Sequence, residues 1–194
     1  ATVIQNLDST SKSILIWRAM LQWLGGIGII VIAIAIFPIL KIGGMQLFQS
    51  EFSSKEEKVL PRTTKIATGI GFVYLFLTIF CSFSLFVSGM TGFDSVAHGM
   101  TIIATGGFST KDMSIGFFDS VYIEIVTIFF MILSSLPFIL LFQSIRGKLT
   151  DLLASSQVRF FLILIFSVTI LVAFWLKRYY EVDFFQSLRI SAFA

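Results

Sequence analysis

Between Arg18 and Lys41 the chain carries no charge for 22 residues, and the pattern recurs. There are 28 uncharged residues between Lys65 and Asp94, 21 between Glu124 and Arg146, and 17 between Arg159 and Lys177. An α-helix rises 1.5 Å per residue, so about 20 apolar residues cross a hydrocarbon core of ~30 Å. The runs predict four membrane spans, over 17–40, 66–89, 119–142 and 158–176. The last is short, but Lys177 and Arg178 can snorkel to the interface, and Tyr179 and Tyr180 suit an aromatic belt. Only 13% of the residues are charged, against ~25% in a soluble domain. Cys81, the single cysteine, lies inside an apolar run and reads as a small buried hydrophobe. The basic residues stand at segment ends without a clustered patch, which argues against a nucleic-acid partner. A surrounding of membrane lipid is expected. The chain does not begin with Met and stops inside an apolar-periodic segment, which reads as an internal fragment of a longer protein.

Lys and Arg in the loops predict orientation. Lys41, Lys55, Lys58, Arg62 and Lys65 occupy one loop, and Arg146, Lys148 and Arg159 another. The opposite side holds Lys12, Lys111, Lys177 and Arg178. The two richer stretches, 41–65 and 143–159, are therefore expected in the cytoplasm, with 42–65 and 143–157 as the loops proper.

The stretch from Ser95 to Thr110 is uncharged but too short and too polar to span. Irregular backbone at membrane depth survives only where protein or water satisfies its polar groups, so a re-entrant segment is expected on the external side. Asp94 can cap a short pore helix over 94–104, which would end at Thr105-Gly106-Gly107. The negative end of its dipole would then favour a cation. An extended strand over 103–110 could follow, lining an ion path with main-chain carbonyls. Glycine would supply the positive φ such a turn needs. A plain external loop with a Gly-rich turn is the alternative.

Several residues carry two readings. Gly25, Gly26 and Gly28 suit close helix packing or an ion contact. Arg18 is a snorkelling side chain or a fixed positive charge near the external vestibule. His98 is a hydrogen-bonded buried histidine, a metal ligand or a pH sensor. Asp94, Asp119 and Glu124 cap helix ends or raise the local cation concentration. Pro137 should kink the third span, with Ser134 and Ser135 bonding freed backbone groups.

The segment Trp17-Arg18-Ala19-Met20-Leu21-Gln22-Trp23-Leu24-Gly25-Gly26-Ile27-Gly28 resembles the region after the first pore loop of TrkH-type potassium uptake proteins, in the Trk/Ktr/HKT superfamily. The stretch from His98 to Thr110 resembles their second pore loop and filter. Gly43-Gly44-Met45-Gln46-Leu47-Phe48-Gln49 also fits, in the cytoplasmic loop. The resemblance implies an all-α membrane fold of helix–pore loop–helix repeats, four around one pore. On that template 14–41 is the second helix of repeat one and 66–142 is all of repeat two. Residues 158–194 then hold the first helix and truncated pore helix of repeat three. Phe93-Asp94-Ser95-Val96 and Phe185-Gln186-Ser187-Leu188 each follow an outgoing span, as such a repeat requires.

The resemblance further implies potassium transport across the cell inner membrane through backbone carbonyls. Ala104 and Thr105 match the coordinating positions for potassium, Gly106 matches the filter glycine, and Ile103 and Gly107 flank them. It also implies a homodimer, a cytosolic TrkA-type nucleotide-binding regulatory subunit, no covalently bound cofactor, and no enzymatic activity. Thr105-Gly106-Gly107-Phe108 lacks the stricter Thr-Val-Gly-Tyr-Gly pattern of tetrameric channels, so a less selective potassium/sodium pathway is an alternative. A non-conducting membrane scaffold is another. A membrane enzyme would need clustered reactive groups at depth, and the spans hold none.

Overall fold

The computed structural model describes residues 4, 6–40, 59–147, 149–180 and 183–193, without the side chains of 29–40, 59–66 and 180. The Gly43–Gln49 motif and most of the 42–65 loop lie outside the described residues. The regular elements described are all helical. A 3-10 turn, Leu7–Ser9, precedes α1 (Lys12–Leu40). Then come α2 (Val59–Val87), α3 (Gly92–Ile103), a second 3-10 turn (Ser114–Phe118), α4 (Val121–Ser134), α5 (Phe138–Ile145), α6 (Leu149–Ala154), α7 (Ser156–Tyr180) and α8 (Phe184–Phe193).

Two of these helices are long and apolar enough to cross a bilayer, over Ala67–Val87 and Ser156–Tyr179. α1 has 29 residues, as does α2. The third expected span differs. α4 and α5 meet at 98° across the break at Ser135–Pro137, so 119–142 is a broken pair and not one continuous helix. Pro137 has no N–H to donate, and its ring clashes with the carbonyl four residues back. Ser135 Oγ donates to the Met131 carbonyl at 2.8 Å, and Ser134 Oγ reaches the Ile102 carbonyl at 3.2 Å. The flanking loops are also more helical than expected. α2 begins at Val59, and Pro61 is tolerated in its first turn because the N–H there has no intrahelical partner. α6 and the start of α7 lie within 143–157.

α1 and α2 cross at their centres. Tyr74 donates its hydroxyl to the Trp23 carbonyl at 2.8 Å, and Trp23 Nε1 donates back to Thr78 Oγ1 at 2.9 Å. Thr78 passes its own proton to the Tyr74 carbonyl at 2.8 Å, closing a three-residue ring of hydrogen bonds. α3 packs into the angle between the two helices. Gly99 lets it approach α2 closely, because a Cβ there would overlap the Ser82 hydroxyl and lie 3.1 Å from the Ser82 Cα. Ile103, Leu85, Cys81 and Phe130 are almost fully buried around this contact.

α8 stands to α7 as α3 stands to α2: a short helix folded back after a long outgoing one. Asp183 Oδ2 accepts the Phe185 N–H at 3.1 Å. Ser187 is fully buried, as Ser95 nearly is at the matching place in α3.

Replacing Gly99 by Val should force α3 from α2 and destabilise the protein by about 1–3 kcal/mol, the usual cost of overpacking. A lower midpoint of thermal unfolding in the full-length protein in detergent would register it.

Candidate ion-coordination site

α3 begins one turn earlier than its acidic residue suggests. Thr91 is the N-cap, its Oγ1 accepting the Asp94 N–H at 3.2 Å while donating to Asp94 Oδ2 at 2.8 Å. Asp94 therefore sits in the first turn, in a reciprocal capping arrangement, and does not cap the helix itself. Its other carboxylate oxygen accepts the Thr110 hydroxyl at 2.6 Å.

That bond is the first rung of a ladder. His98 Nδ1 lies 2.8 Å from the Asp94 carbonyl, and its Nε2 lies 2.9 Å from Ser109 Oγ. A carbonyl only accepts, so Nδ1 carries the proton and Nε2 accepts from Ser109. Ser109 Oγ in turn accepts the Lys111 N–H at 3.0 Å. Thr101 Oγ1 donates to the Phe108 carbonyl at 2.8 Å. Asp94, His98 and Thr101 share one helical face at i, i+4 and i+7. They hold Thr110, Ser109 and Phe108 in reverse order, so the outgoing limb is zipped to the helix. All but Phe108 and Ser109 are buried. Both ring nitrogens of His98 are occupied, which leaves none for a metal.

At its other end α3 stops in a Schellman motif. The Thr105 N–H bonds the Ile102 carbonyl and the Gly106 N–H bonds the Thr101 carbonyl, both at 2.9 Å. α2 ends in the same motif with Gly89 at φ 110 in the left-handed position, as is usual. In α3 that position falls on Thr105, at φ 52, and a second positive φ falls on Gly107, at 74. The positive φ expected of the filter glycine is thus absent from Gly106. A β-branched residue in this region is strained. Its hydroxyl donates to the Ala104 carbonyl at 2.8 Å.

The carbonyls divide sharply. Those of Met100, Thr101 and Ile102 accept backbone N–H groups, and that of Phe108 accepts Thr101 Oγ1. Among the described residues, those of Ile103, Thr105, Gly106 and Gly107 accept nothing, and that of Ala104 takes only the Thr105 hydroxyl. Ile103 is anchored by a fully buried side chain, whereas Thr105, Gly106 and Gly107 are exposed.

The run is deep. Gly26 backs directly onto Ala104, since a Cβ on it would lie 3.3 Å from Ala104 Cα and Cβ, and 2.8 Å from the Tyr74 hydroxyl. Gly26 is the middle residue of the 29 in α1, roughly 21 Å from either end at 1.5 Å per residue.

α1 supplies more of the surroundings than its glycines alone suggested. Gln22 lies against Gly106, and the Arg18 guanidinium sits 4.7 Å from the centre of the Phe108 ring. Gly25 and Gly28 have nothing near a would-be Cβ, so of the three only Gly26 makes the close contact. The acidic residues do not act together as a free cluster. Asp94 is buried in the ladder, Glu124 Oε2 pairs with Arg189 Nε at 2.9 Å, and Asp119 alone of the three is exposed. The ladder was missed in the sequence, although the 94/98/101 spacing opposite three consecutive polar-capable positions signals it. A lone Gln in an apolar run was the signal for Gln22.

Residues 1–180 match the family model described as "TrkH: Cation transport protein". The chain belongs to the TrkH family. It is 47% identical over 146 residues to the Trk system potassium uptake protein TrkH of Vibrio parahaemolyticus, covering 74% of this chain and 30% of that protein. It is 39% identical to the TrkH of Halomonas elongata, covering 100% of this chain and 41% of that protein. The crystal structure of the potassium transporter TrkH from Vibrio parahaemolyticus superimposes with a TM-score of 0.84 at 34% identity, covering 100% of this chain and 39% of that one. The chain thus spans well under half the length of these relatives. TrkH is a transport family and not an enzyme family, so the free carbonyls, and no reactive side chain, are the chemistry to explain.

Burial holds the His98 pKa below its ordinary 6.5, opposed by the hydrogen bond to the Asp94 carbonyl and by the Asp94 charge. With a folded pKa below the unfolded one, the unfolded chain binds the extra proton first. The contribution of neutral His98 is therefore complete above 6.5 and is lost as pH falls below it. Thermal unfolding of the full-length protein should show a midpoint that drops between neutral and mildly acidic pH. His98→Gln should be less stable at neutral pH and should flatten that slope.

Proposed function

We propose that this chain forms part of a potassium pathway across the cytoplasmic membrane, with the carbonyls of residues 103–107 as the filter. Ala104 and Thr105 are the principal ligands, and Ile103, Gly106 and Gly107 flank them. The observation that carries this reading is the uninterrupted run of carbonyls without backbone partners, bounded by satisfied ones and level with the middle of α1. Thr105, Gly106 and Gly107 are exposed, so their oxygens, with no donor among the described residues, are open to a partner from outside the chain. A desolvated cation is such a partner.

Two features suit the role. The C-terminal end of α3 points its partial negative charge at the same place. The Thr105 hydroxyl on the Ala104 oxygen is a rotor that can turn away and leave that oxygen to an ion.

On this reading α2 to α5 make one complete helix–pore loop–helix repeat, and α7 and α8 begin the next. α1 closes the repeat before. The remaining walls of the pore come from parts of the protein outside this chain. The assembly is a multi-pass protein of the cell inner membrane, surrounded by lipid. It works as a homodimer with a TrkA-type nucleotide-binding subunit on the cytoplasmic face. Thr105-Gly106-Gly107-Phe108 lacks the Thr-Val-Gly-Tyr-Gly pattern, which favours modest discrimination against sodium as the second reading.

In the full-length protein, Gly106→Ser should abolish or severely reduce potassium uptake in cells lacking other uptake systems, with normal abundance in the membrane. Unchanged uptake would support a non-conducting scaffold instead.

A further inference from the structure

We infer that Gln22, on the helix before the pore loop, is a specificity-determining positioning residue that sets the width of the ion path at Gly106, a role that rests on the assignment of residues 103–107 as the filter. The backbone at 106 does not demand glycine, because the left-handed angles fall on its two neighbours, Thr105 and Gly107. Room demands it. The three atoms nearest to a would-be Cβ on Gly106 are Cγ, Cδ and Nε2 of Gln22, all within overlap distance.

Gln22 and Gly26 lie one turn apart on the same face of α1. Gly26 lets the helix backbone touch Ala104, and Gln22 reaches on to Gly106. Together they form the wall behind two consecutive stages of the carbonyl run. The Gln22 side chain is half-buried, and its Oε1 is buried with no hydrogen-bond partner among the described residues. The register of α1 is pinned next door by the Trp23–Tyr74–Thr78 ring of hydrogen bonds.

Discrimination between potassium and sodium depends on how large the carbonyl cage is and how far its oxygens can follow a smaller or larger ion. A side chain seated on the glycine limits how far that part of the limb can recede. Shortening Gln22 should let it recede, and a methyl group on Gly106 should push it forward. The two changes should therefore compensate.

The test uses the full-length transporter in cells lacking other potassium uptake, with membrane abundance and potassium and sodium fluxes measured for each variant. Gly106→Ala should lower potassium uptake by about tenfold or more, and Gln22→Ala should lower the potassium-to-sodium ratio by about tenfold while uptake continues. The double variant Gln22→Ala/Gly106→Ala should recover most of the uptake lost in Gly106→Ala. Gln22→Met, similar in volume but without the amide, should keep the wild-type ratio. At normal abundance, a double variant as impaired as Gly106→Ala, or a wild-type ratio in Gln22→Ala, would overturn the role of Gln22 and leave the filter assignment standing. Loss of the ratio in Gln22→Met would overturn it too, since packing would then not be the cause. A Gly106→Ala variant with wild-type uptake and ratio would bring down the filter assignment, and the role of Gln22 with it.

Discussion

A helix that ends inside a protein must find partners for its last carbonyls, and α3 solves only part of that problem. The Schellman bonds satisfy Thr101 and Ile102, and the chain then runs on through Gly107 with main-chain oxygens that no backbone N–H among the described residues claims, that of Ala104 taking only the Thr105 hydroxyl. The contacts around residues 103–107 bear on keeping that run in place. The ladder from Asp94, His98 and Thr101 fixes the outgoing limb. Gly26 and Gln22 support the run from behind. Gly99 sets α3 close enough to α2 for its far end to reach the centre of the helix crossing.

The cost of the arrangement is borne at a few residues. Thr105 holds a left-handed backbone that glycine takes at the end of α2. The ladder offsets such strain with buried and partly buried hydrogen bonds, each contributing about 1 kcal/mol net and more when breaking it leaves a partner unsatisfied. The chain bends the neighbouring helix as well. Beside the break at Pro137, Ser134 Oγ donates to the Ile102 carbonyl as well as to that of Met131, so the bend in α4–α5 and the end of α3 share a hydrogen bond.

Family membership and the carbonyl run agree in kind. TrkH relatives are named as potassium uptake proteins, and a potassium ion is bound by neutral oxygens, without an acidic cluster. Asp94 and Glu124 illustrate the point, since each is committed to a structural partner.

The charge-free runs announced apolar helices, and the polar, glycine-containing stretch from Ser95 to Thr110 marked the place where a span was impossible. Both were legible because hydrocarbon length and backbone hydrogen bonding are properties of a segment read by itself. The motifs from Trp17 to Gly28 and from His98 to Thr110 carried the family for the same reason. What only the tertiary structure decided concerns pairs of distant segments. It placed the positive φ on Thr105 and not on Gly106. It gave the N-cap to Thr91, and it turned the kink at Pro137 into a 98° break. It also brought Gln22 against a glycine 84 residues away. A glycine in a sequence shows that a side chain is missing there; only the packed chain shows which neighbour fills the space.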